Sequence, residues 1–161
     1  MEPISRYFNA EKSESLIFII AGLLAVIIGV WFLFVIKKPF YNGVAFSITA
    51  IAIVQLTVGY SVYARSPEDI IRVNQIVKND QAKIHAQEIP RMKTVMKNFM
   101  IYKIIEIVFV VAGLLFWIVF KSGLLSGIGL GLFIQALLML VFDLFAESRG
   151  KIYISFLESL N

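Results

Sequence analysis

Residues 16–36 read LIFIIAGLLAVIIGVWFLFVI and carry no charged side chain. At 1.5 Å per residue such a run crosses the ~30 Å hydrocarbon core of a bilayer, for which ~20 apolar residues suffice. Three more runs match it. Pro39–Ala64 and Ser122–Phe142 are uncharged, and Ile101–Phe120 holds only Lys103 and Glu106, both in its first turns. With 59% hydrophobic residues and a mean hydropathy of +0.83, the pattern predicts an all-α integral membrane protein. The expected spans are 16–36, 40–64, 97–120 and 122–146, packed as a four-helix bundle in one membrane domain over residues 1–161.

Charge then orients the spans. The connection from Arg65 to Met100 holds Arg65, Arg72, Lys78, Lys83, Arg91, Lys93 and Lys97 against Glu68, Asp69, Asp80 and Glu88. The other two connections hold Lys37 with Lys38, and Lys121. Basic residues near span ends stay on the cytoplasmic side, which predicts a multi-pass protein of an inner or plasma membrane with both termini inside. The same basic stretch is expected to attract anionic lipid headgroups. It predicts no nucleic-acid partner, because aromatics do not interleave with the cations as a base-stacking platform requires. Residues 1–15 lack a cationic leader region and the run that follows has no small-residue cleavage site, so the first span is expected to be retained. Without cysteine, thiolate chemistry and Cys-based metal sites are excluded.

Between the second and third spans, Ser66-Pro67-Glu68-Asp69 has the composition of a helix start, with a capping hydroxyl, proline in the first turn and acids at the positive end of the dipole. Ile70, Val73, Val77 and Ile84 recur near one face. This predicts an amphipathic cytoplasmic helix over 66–89, interrupted by Pro90. Met92, Val95, Met96 and Phe99 then lead at helical spacing into the third span. Gly150 reads as a break, and Ile152, Phe156, Leu157 and Leu160 as an interfacial segment over 151–161. Ala21-Gly-Leu-Leu24 recurs as Ala112-Gly-Leu-Leu115, each in the first span of a hairpin, a short echo that a duplicated hairpin would leave.

Glu106 is the sharpest residue in the chain. Counted back from Phe120 it lies about 21 Å from the outer boundary; Gln55 counted from Phe40 lies at about 22 Å, and Gln135 counted from Ser122 at about 20 Å. The three form an expected intramembrane polar layer, with Gly22 at the matching depth of the first span. As structural groups they would hydrogen-bond across helices and fix register, at about 0.6–2 kcal/mol per bond. As functional groups they would bind a proton or cation. Asp143 falls near 31 Å, at the boundary. With Tyr60, Arg65, Tyr102, Lys103, Glu147 and Arg149 it is expected to form a polar collar at the cytoplasmic interface.

His85-x-x-Glu88 is the one His/carboxylate pair at helical spacing, and it reads as a solvated helix face rather than a metal site. Gly123-x-x-x-Gly127-x-x-x-Gly131 is a row of small residues that permits close helix approach, within the chain or between copies. No paired intramembrane carboxylates, His cluster, nucleophile beside a base or phosphate loop is found, so neither catalysis nor a cofactor is expected. The sequence therefore points to a non-enzymatic membrane protein that acts by helix packing and partner binding, for instance as an accessory or toxin-neutralising subunit. Its partner would be another membrane protein or a further copy of itself. The alternative is a homo-oligomeric channel or proton-coupled carrier using the Gln55/Glu106/Gln135 layer.

Overall fold

The computed structural model describes residues 2–79 and 81–160, and all of it is helix apart from short turns. Helix α1 (Glu2–Trp31) ends in a π-helical turn over Phe32–Ile36, and α2 covers Pro39–Asn79. A second π turn, Ile84–Glu88, leads into α3 (Ile89–Phe120), and α4 covers Gly123–Glu158. All four helices are long and apolar enough to cross a membrane, as in a multi-pass membrane protein. Lys37 and Lys121 both take left-handed backbone conformations (φ 52°) where the chain reverses. There each lysine sits at the negative end of a helix dipole. Gly123, at φ +82°, restarts the chain as α4.

Packing runs α1 on α2, α2 on α4 and α4 on α3, so the two hairpins join along their second helices. Within the most apolar window of each helix, 39% of α2 is buried but only 11% of α3. The outer helices turn most of their Leu, Ile, Val and Phe side chains outward, as a lipid-facing surface demands. Backbone closeness makes the central seam. A Cβ on Gly127 would collide with the Phe40 carbonyl, one on Gly43 would lie 2.7 Å from the Ile128 nitrogen, and one on Gly131 2.8 Å from the Val44 carbonyl. Gly113 and Gly129 do the same between α3 and α4. Of the expected glycine row, Gly127 and Gly131 face α2, whereas Gly123 has open space around it and serves the turn. In the first halves of the hairpins, the echoed Gly22 and Gly113 each press on the following helix, against Leu56 and Phe133 respectively.

Three sequence expectations change. No separate helix forms over 66–89: α2 runs through Pro67 to Asn79, and Ser66 bonds the Val62 carbonyl at 2.7 Å instead of capping. Asp69 binds Arg65 and Arg72 on either side of the proline, and Val73 is fully buried beyond it, which outweighs the one backbone bond that Pro67 removes. Pro90 does not interrupt; it sits in the first turn of α3, where its missing N–H costs nothing. Gly150 does not break α4 but sits under Met96, 2.8 Å from its sulfur if given a Cβ, so 151–158 continue the same helix. Asp80 lies outside the described residues.

These extensions meet at the end of the molecule that holds residue 2, the 81–84 turn and residue 158, called the polar end below. Ile4, Phe8, Val73, Ile84, Met92 and Leu157 are buried there in one cluster. Tyr7 stacks on Tyr153 with ring centroids 4.2 Å apart. Each segment alone is too short for a core, but together they bury Ile4, Phe8, Val73, Ile84, Met92 and Leu157 completely.

Candidate functional site

The expected polar layer resolves into two separate pairs. Gln55 is fully buried; its Nε2 donates to the Phe18 carbonyl of α1 at 2.8 Å, and its Oε1 accepts from Gln135 Nε2 of α4 at 2.5 Å. Gly22 lies alongside, where a Cβ would come 3.5 Å from the Gln55 amide carbon. One amide chain thus ties α1, α2 and α4 together, each bond made within the protein.

Glu106 is not part of that chain. It is 5% exposed and lies beside Asp143 of α4, near enough for the two carboxyl groups to interact. Two carboxyl groups of facing helices thus come side by side, where the sequence offers no reason to expect a carboxylate pair. α2 and α4 run the same way, so their side chains lean alike and depths counted from Cα positions agree. α3 runs opposite to α4. Glu106 leans toward the polar end and Asp143 away from it, which closes the gap that counting along the axis leaves between them. Glu106 Oε2 is buried with no hydrogen-bond donor beside it.

The expected collar also divides. Tyr60 and Tyr102 are 68% and 50% exposed and turn outward, as aromatic-belt residues do. Lys103 binds Glu147, which also takes Lys151 at 2.8 Å. Arg65 and Arg149 reach across to acids the sequence reading overlooked, Glu11 (3.2 Å) and Glu14 of α1. The available signal was their placement: two carboxylates three residues apart, one turn before the first apolar run. A cavity of about 100 Å³ lies between these ion pairs and the carboxyl pair. Glu11, Glu14, Arg149 and Asp143 line it, with Phe18 and Phe142, edge to face at 5.2 Å, among its walls.

Glu88 corrects the solvated-face reading of His85-x-x-Glu88. It is fully buried, accepting from Arg91 at 2.6 and 3.0 Å and from Arg72 at 3.1 Å. The Tyr153 hydroxyl donates to it at 3.3 Å. Burial pushes the phenols of Tyr153 and Tyr7, both beyond the apolar runs, above their ordinary range, so both remain protonated. His85 meets the Leu160 carbonyl instead, at 3.2 Å. The periodicity missed Glu88 because its burial depends on α1 and α4, which close over it from distant sequence. Among the described residues no group of three His, Cys or carboxylate ligands stands ready for a metal. Comparison with protein-family models, curated proteins and solved structures gives no match.

Proposed function

We propose that the chain is a non-enzymatic membrane protein of an inner or plasma membrane that works by binding another membrane protein. Supporting this most directly is the closed seam. From the Gln55–Gln135 bond to the short-loop end, α2 and α4 approach backbone to backbone at Gly43, Gly127 and Gly131. A file of water or ions has no room along that line. α1 and α4 meet in the polar half, through Phe18–Phe142 and Tyr7–Tyr153, and diverge beyond it. A groove of about 470 Å³ is left over α2, with Ile28, Phe32, Tyr41, Val44 and Ile134 in its walls and Gln135 at one side. Its chemistry suits an apolar membrane helix that offers the amide one polar contact.

A benzophenone amino acid at Ile28 or Ile134 should give a discrete protein adduct in native membranes, while the same probe at Ile118 on α3 should label lipid only. Lipid labelling alone at all three sites would remove the binding reading. An adduct of twice the chain's mass would make the partner a second copy.

The alternative, a homo-oligomeric channel or proton-coupled carrier, draws on the Glu106–Asp143 contact rather than on the three-residue layer. The orientation follows from the basic residues of the middle connection. Topology reporters fused after Asn79 and after Ser122 should report the cytoplasm and the opposite side respectively; agreement between them would exclude four spans.

A further inference from the structure

We propose that Glu106 and Asp143 form a one-proton binding site reached from the polar end alone. A carboxylate only accepts hydrogen bonds, so two carboxyl groups in contact hold together only when a proton lies between them. Glu106 is 5% exposed and its Oε2 is buried with no hydrogen-bond donor beside it, an arrangement that is costly for an ionised carboxylate and that a bound proton relieves.

The charged groups around the pair are already matched. On α3, Lys103 is held by Glu147, which Lys151 also binds. On α1, Glu14 takes Arg149 of α4, and Glu11 takes Arg65 of α2. The α2 wall of the cavity offers Val58, Gly59 and Val62, none of which titrates. One proton on the pair leaves a single negative charge facing Lys103 and Arg149; losing it sets two like charges in contact in an apolar surrounding.

Access is one-sided. The cavity beside Asp143 has room for a few water molecules and is bordered by the polar-end ion pairs. In the other direction stand the Phe18–Phe142 contact, the Gln55–Gln135 bond and then the glycine seam. The consequence falls on α3, which in the apolar region packs on α4 and not on α1 or α2. The proton contributes to the α3–α4 contact at low pH, and that contribution disappears as pH rises through the titration of the pair. This assignment does not depend on the binding reading above.

Infrared difference spectroscopy of the full chain in bilayers tests it. The neutral-pH protein should show a protonated-carboxyl C=O band that Glu106→Gln and Asp143→Asn each abolish or shift. Should either variant fail to fold, ¹³C-aspartate or ¹³C-glutamate labelling of the unaltered chain should move the same band. In uniformly oriented vesicles, alkali on the polar-end side should remove the band and alkali on the other side should leave it. A spectrum without a protonated carboxyl, a band indifferent to both variants and both labels, or a band lost from the far side would each overturn the proposal.

Discussion

Gly127→Leu should unseat α2 from α4 and lower stability in detergent by about 3 kcal/mol, the upper part of the range for overpacking a close contact. The neighbour it would strike is the Phe40 carbonyl, followed by the Val44 nitrogen at 3.0 Å from the first added carbon. Backbone cannot rotate away as a side chain can, so the two helices must separate. Separation also exposes the Ser47 hydroxyl, which donates to the Ile128 carbonyl across the seam at 3.0 Å. Gly123→Leu is the control: it meets open space, and its cost is confined to the positive φ, about 1 kcal/mol. Thermal melting of the two variants, followed by Trp fluorescence, should rank Gly127→Leu well below Gly123→Leu. Equal melting would mean that the seam is not close-packed.

Glu88→Ala should loosen the polar end while leaving the apolar runs intact. Removing one partner of a buried ion pair costs about 3–5 kcal/mol when the other charge is stranded in the interior. Arg91 and Arg72 keep 26% and 39% of their side chains exposed, so water compensates in part and about 2–3 kcal/mol is expected. Hydrogen exchange should rise across 70–95 and 150–158, with residues 18–30 and 125–138 unchanged. Tyr153→Phe, which removes the long 3.3 Å bond alone, should cost under about 1 kcal/mol. Unchanged protection at the polar end in Glu88→Ala would show that Glu88 does not organise it.

What the chain reveals by itself follows from the range of the forces involved. The four long apolar helices were legible because the absence of charge over residues such as 16–36 and 122–142 is a local property of the sequence. Continuation of α2 through Ser66-Pro67 was not, because a capping sequence and a tolerated proline look alike until Val73 finds its distant neighbours. The polar-end core draws Ile4, Phe8, Val73, Met92 and Leu157 from four separate stretches, none apolar enough to signal a core. Gln55 and Gln135 fell at one depth because parallel helices share a side-chain lean. Glu106 and Asp143 did not, because antiparallel helices tilt their side chains toward each other along the axis.

The central claim is that the protein closes its own interior and acts through its surface, and ion flux through purified protein tests it most directly. Reconstituted in liposomes with an imposed pH gradient, the chain is predicted to pass neither protons nor monovalent cations above the rate of protein-free vesicles, although the carboxyl pair still takes up its proton from the polar end. Steady proton or cation flux in the unaltered protein, abolished by Glu106→Gln, would contradict the account and establish the carrier in its place.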